Sequence, residues 1–171
     1  RAVAEKSGWE ENAKREKNHG RGIAFGQYKN IQCYAAVIVE LHVNRDSGEI
    51  HLDRAIIAAD AGQIVNPDGL SNQLEGGFVQ AASWTLAEAV EFDETGILSQ
   101  DWDTYPLLRF SGVPIIETVL LNRPDYPSLG SGEATQNPTP AAIANAVADA
   151  VGLRLRQIPF TPERVRTLLE R

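Results

Sequence analysis

YAAVIVELHVN (residues 34–44), DSG (46–48) and EIHLDRAIIAAD (49–60) decide how this chain is built. The two outer stretches are rich in β-branched residues and read as strands. Asp46, Ser47 and Gly48 between them are turn residues: Asp and Ser bond their own backbone, and Gly accepts a positive φ. The three stretches together predict an antiparallel β-hairpin.

Working outward, residues 2–17 read as a polar, charge-laced helix anchored by Trp9. Gly20, Gly22 and Gly26 then mark a loop or short strand. Beyond the hairpin, residues 60–67 read as a loop. Residues 69–90 carry Leu70, Leu74, Phe78, Ala81, Ala82, Thr85 and Ala89 at close to a 3.6-residue period, which predicts an amphipathic helix. Gly76 and Gly77 fall inside it, each at a cost of about 1 kcal/mol against Ala. Either something approaches the backbone closely there or the helix starts after them.

Residues 92–112 read as irregular and 115–122 as a third strand. Thr139 is a good N-cap and Pro140 fits the first helical turn. That helix runs to about Val151 and stops at Gly152. Thr161-Pro162 starts a last short helix. The order β-β-α-β-α with flanking helices makes the class α+β, and residues 1–171 read as a single domain.

Composition narrows the function. The 171 residues carry a formal charge of −7, and 43% are hydrophobic, enough for a real core. An acidic chain is a poor match for nucleic acid, which needs clustered Lys and Arg. The basic residues near the end (Arg154, Arg156, Arg164, Arg166, Arg171) alternate with Glu163 and Glu170, as on a solvated helix face. The single cysteine, Cys33, excludes an internal disulfide and a cysteine-based metal cluster; its strand-like surroundings predict a buried, inert thiol. No apolar run reaches the ~18 residues of a membrane helix, so no direct membrane insertion is expected. The chain starts at Arg1 and has no methionine, so a piece of a longer protein is expected, and its sequence assigns no compartment.

His42 and His51 lie on opposite arms of the hairpin and can meet across it. Such a pair is ordinarily surface rather than a zinc site, which needs three or four ligands. There is no serine nucleophile elbow and no Walker-type loop. The chemistry-bearing stretch is GSGEATQNPTPAAIANAV (130–147). It sets one carboxylate, Glu133, after a glycine-rich turn and before a helix. Glycines let a ligand approach the backbone. A Glu lodged there in a closed pocket suits general-base work, whereas most loop carboxylates only meet solvent.

Gly132-Glu133, the Pro-Ala-Ala-Ile-Ala-Asn-Ala helix (140–146) and the segment from Gly152 through Val165 resemble the C-terminus of the molybdenum hydroxylases, the aldehyde oxidase and xanthine dehydrogenase family. The likeness is greatest to the isoquinoline oxidoreductase and bacterial aldehyde dehydrogenase branch. DAGQIVNP (60–67), NQLEGGFVQ (72–80), and Tyr105-Pro106 followed by Pro114 through Glu117 resemble further signatures of that family in the same order.

The resemblance implies a C-terminal fragment of a molybdopterin-binding subunit. It implies hydroxylation of aldehydes or N-heteroaromatic compounds with water as the oxygen source, and Glu133 as the active-site base. Gln73 is implied as a pterin hydrogen-bonding residue, with Ser131 and Gly132 beside the metal through their backbone. The cofactor implied is molybdenum-molybdopterin, in its cytosine dinucleotide form, with the remaining binding loops upstream and the fragment inactive alone. The implied electron acceptor is an iron–sulfur subunit or domain; the implied setting is a bacterial cytoplasm or periplasm. Ala134-Thr135-Gln136-Asn137 departs from the family, which has Pro and apolar residues there. Two other readings stay open: a non-catalytic binding or assembly module that never loads cofactor, and an unrelated α+β enzyme using the glycine-rich turn for phosphate.

Overall fold

The computed structural model describes residues 1–9 and 15–170. Its centre is a four-stranded sheet of order β1-β2-β3-β6. β2 (Tyr34–Val43) and β3 (Ile50–Asp60) form the expected hairpin, antiparallel, with a register shift between Glu40 and Leu41. Gly48 takes φ 81° in the turn, and Asn44 Oδ1 accepts from the N–H groups of Asp46 and Ser47.

β1 (His19–Gln27) pairs antiparallel with β2. A nine-residue strand here corrects the expected loop or short strand. Its glycines signal close approach rather than a turn. A Cβ on Gly20 would stand 2.1 Å from the Ala146 carbonyl oxygen, and one on Gly22 2.0 Å from that of Ala142. Both carbonyls belong to α3 (Pro138–Val151), which lies directly on β1 and β2.

α2 (Pro67–Leu86) begins earlier than its apolar pattern suggests, because Asn66 caps it: its Oδ1 accepts from Gly69 N–H at 3.0 Å, and Pro67 takes the first turn. Ala89 lies beyond its end. The helix runs straight through Gly76 and Gly77. A Cβ on Gly77 would meet Thr135 Oγ1 at 2.5 Å, so close approach is the explanation there; Gly76 is exposed, and none of the described residues requires it. α2 connects β3 to β6 (Ile115–Leu120), which joins the sheet parallel to β3.

α3 starts ahead of the expected cap. Asn137 holds the N-cap position and Pro138 enters the first turn, while Thr139 is buried and donates its Oγ1 hydrogen to the Thr135 carbonyl at 2.7 Å. Gly152 ends the helix at φ 77°, as expected. α4 (Pro162–Leu169) is capped by Thr161, as its Thr-Pro signal predicts. Only Arg164 and Arg166 of the basic group lie on it; Arg154 and Arg156 are exposed on the preceding loop, and Arg171 lies outside the described residues. Residues 92–112 are largely irregular, with a minimal hairpin of β4 (Phe92–Asp93) and β5 (Gly96–Ile97) and one 3-10 turn at Phe110–Gly112.

The main core lies between the sheet and the α2/α3 layer, with Val37, Val39, Leu41, Ile57, Leu74, Phe78, Ile143 and Val147 fully buried. The other sheet face carries a smaller cluster of Val3, Ile38, Ile56 and Ala58 under α1 (Ala2–Ser7). α1 stops at Gly8, φ 62°, which shortens the expected 2–17 helix; residues 10–14 of that span lie outside the described residues. Trp9 does anchor the segment, packed against the small cluster with the Arg21 guanidinium over its ring. The mixed sheet with helices confirms the α+β class.

Candidate active site

Glu133 lies in the turn at 132–137 that feeds α3. Three side chains from distant segments pin this turn. Tyr28, just past β1, donates its hydroxyl hydrogen to Glu133 Oε2 at 2.9 Å. Gln32 Oε1 accepts from Gly130 N–H at 2.6 Å, and the neighbouring Cys33 N–H donates to the Gly130 carbonyl at 3.1 Å. Gln73, on α2, donates its side-chain amide hydrogen to the Gly132 carbonyl at 2.6 Å.

Beneath the turn, Ala134 and Thr135 are buried, and Thr135 Oγ1 donates to the Leu74 carbonyl at 3.0 Å. Gln136 donates to Gln80 Oε1 at 2.7 Å. The polar run after Glu133 therefore fastens the turn to α2.

Gln73, Ser131 and Gly132 share the wall of one groove of about 400 Å³, together with Ile64, Val65 and Asn66. Three sequence-predicted residues thus converge on one surface, and Glu133 follows the last of them directly. The loop 61–66 lines the groove. Asp60 shapes that loop: its Oδ1 accepts from Gly62 N–H at 3.0 Å and its Oδ2 pairs with Arg123 at 3.0 Å. Gly62 takes φ 69°, and a Cβ there would stand 2.1 Å from the Pro127 carbonyl oxygen. The first turn of α2 also lines the groove through Asn66 and Gly69. A helix N-terminus favours negative charge.

The residues of this chain leave Glu133 exposed and do not by themselves form a closed pocket around it. Cys33, in contrast, is fully buried, and burial, then the nearby Asp60 carboxylate, push its thiol up to about 11. That matches the inert thiol expected from its setting. Tyr28 and Gln32 were not legible as site residues. They reach the turn across 105 and 98 positions of sequence, and no local pattern marks them.

A sequence model of the molybdopterin cofactor-binding domain family matches residues 2–114, more than half of the chain; Glu133 lies outside that span. One of the subunits of nicotinate dehydrogenase from Pseudomonas putida is 37% identical over 99% of this chain and 15% of its own length. The beta subunit of isoquinoline 1-oxidoreductase from Brevundimonas diminuta is 34% identical over 95% of this chain and 20% of its own. Among solved structures, quinoline 2-oxidoreductase of Pseudomonas putida 86 superposes with a TM-score of 0.74 at 25% identity, over 81% of this chain and 19% of that one. Aldehyde oxidoreductase of Desulfovibrio gigas gives 0.71 at 28%, over 81% and 16%. The chain thus spans about a fifth or less of each of these proteins. The ordered motifs, the α+β fold and these likenesses agree: the chain belongs to the molybdopterin cofactor-binding domain family of the molybdenum hydroxylases.

Proposed function

We propose that this chain is the C-terminal part of the cofactor-binding subunit of a molybdopterin-dependent oxidoreductase, with Glu133 as its active-site base. The substrates are aldehydes or N-heteroaromatic compounds, and water supplies the oxygen. Two relatives named for nicotinate and isoquinoline support the heteroaromatic class. The cofactor is the cytosine dinucleotide form of molybdenum-molybdopterin, and the electrons pass to an iron–sulfur subunit or domain. When bound, the cofactor supplies oxygen-atom and electron transfer.

The observation that carries this reading is the convergence of Gln73, Ser131 and Gly132 on one groove beside a carboxylate held by Tyr28. The residues present fit such a group. A Cβ on Gly132 would point into open space, so a ligand can lie against that backbone. The N-terminal end of α2 favours the negative charge of a cofactor phosphate. Gln73 fixes the Gly132 carbonyl and offers its amide to the pterin. Tyr28 engages Oε2 of Glu133, which leaves Oε1 to take a proton from the reacting hydroxyl group. Since the chain leaves Glu133 exposed, the rest of the protein closes the pocket, and the isolated chain is inactive.

Molybdenum and pterin contents of the full-length protein test this. Wild type carries both, and Gln73→Ala loses cofactor while the molecules that retain it turn over near the normal rate. A folded full-length protein without molybdenum or pterin makes the chain a non-catalytic module instead. Unchanged retention in Gln73→Ala removes Gln73 from the site.

A further inference from the structure

The three histidines of this chain all stand in one row. β1 pairs His19 with His42, and β3 pairs His51 with the same His42. The rings stack in succession, with centroids 5.1 Å apart for His19 and His42 and 4.7 Å for His42 and His51. The sequence exposed only the hairpin pair; β1 adds the third ring.

A carboxylate joins the row through an irregularity of the sheet. Glu40 pairs with Arg54, but Leu41 pairs with Leu52, which leaves Asp53 as the unpaired residue of a β-bulge. A bulge re-aims the side chain it carries. Here it sends Asp53 Oδ1 to 2.9 Å from His42 Nδ1 and Oδ2 to 3.9 Å from His19 Nδ1. The three ligand atoms offered by His19, His42 and Asp53 lie within 4.8 Å of one another.

From this geometry we propose a second metal site, in which His19, His42 and Asp53 bind a first-row divalent cation of the zinc type. Tetrahedral bonds of about 2.0–2.2 Å put neighbouring donors about 3.3–3.6 Å apart, between the two separations, which run to different oxygens of Asp53. The rings of His19 and His42 are stacked at 24°, so the His19 ring must turn out of the stack for both imidazoles to reach one ion. Two imidazoles and one carboxylate suit zinc better than magnesium or calcium, which prefer all-oxygen shells. A fourth position stays open to water.

Around the ligands, the polar groups agree with this role. Glu16 lies 3.6 Å from Nε2 of His19, the nitrogen facing away from Asp53. At that separation its carboxylate adds negative charge beside the ligands without a hydrogen bond. The nearby cations are occupied: Arg21 pairs with Glu40 at 2.9 Å and Arg15 with Asp149 at 3.1 Å. The row also stands apart from Glu133. His19 opens β1 and Gln27, next to Tyr28, closes it, so roughly 26 Å of strand separate the two ends. Bound there, the ion clamps β1, β2 and β3 together across the end of the sheet remote from the turn.

The test is zinc binding by the full-length protein, read by elemental analysis after equilibrium dialysis and by the zinc-induced rise in melting temperature. Wild type takes up one zinc ion more per chain than His42→Ala or Asp53→Asn, and only wild type gains the melting shift. If His42→Ala does not fold, Asp53→Asn decides, because it keeps the side-chain shape at the bulge. No zinc uptake by wild type, or the same uptake and melting shift in wild type and Asp53→Asn, overturns the proposal.

Discussion

Gly20 and Gly22 have no room for a methyl group, whereas Gly132, beside the candidate base, has none of the described residues within 4 Å of where one would stand. The first two lie on β1 under α3, and the obstacles are helix backbone atoms that cannot swing aside. Their identity is explained by the packing of this chain. The glycine at the turn is not explained that way. Its reason lies in what approaches the turn from outside, as the proposed cofactor would. One composition signal, repeated Gly, thus has two physical origins in one molecule, close packing of helix on sheet and access for a ligand.

Exchanging the glycines breaks or sharpens this contrast. Gly22→Ala carries the largest effect, because α3 must lift from the sheet. A loss of several kcal/mol is expected, of the kind caused by overpacking a core. Thermal unfolding of the full-length protein reads it as a lowered transition for the unit containing this chain.

An intermediate effect belongs to Cys33, whose backbone N–H holds Gly130 while its thiol is buried in the core. Its thiol is raised from 9.0 to about 11, so the protonated form is favoured in the folded state. The stabilisation is complete below about pH 9 and is lost as pH rises through about 11. Alkylation at pH 8 is accordingly slow in the native protein and fast after unfolding. Fast native labelling shows that the segment behind the turn opens.

Gly132→Ala has the smallest effect on stability, within about 0.5 kcal/mol, yet lowers molybdenum retention. Destabilisation equal to that of Gly22→Ala would show that both glycines serve packing and would end the contrast.

What the sequence made legible follows the same division between local and distant causes. The hairpin could be read because Val37, Ile38, Val39, Ile56 and Ile57 flank a turn whose chemistry lies in Asp46-Ser47-Gly48. α4 could be read because Thr161 caps it locally. β1 was obscured because Gly20 and Gly22 answer to Ala142 and Ala146, more than a hundred positions away. The start of α3 was displaced because Thr139, an apt cap by type, turns inward to Thr135. The parallel pairing of β6 with β3 also has no local signature.

Ordered motifs name Glu133, Gln73, Ser131 and Gly132 as candidates, and the fold gathers the last three on one groove. The contacts of Tyr28 with Glu133 and of Gln32 with Gly130 have no local signature, because the partners are distant in sequence. The polar run Thr135-Gln136 read as a departure from the family, and its hydrogen bonds to Leu74 and Gln80 account for it as packing against α2.

The proposed function rests on one proton acceptor. Turnover of Glu133→Gln in the full-length protein, normalised to its molybdenum content, tests it most directly. Wild-type cofactor loading is expected, with turnover lowered about 10²–10⁴-fold, the range for loss of a general base. Near-normal turnover by the loaded variant would contradict the assignment of Glu133 as the base.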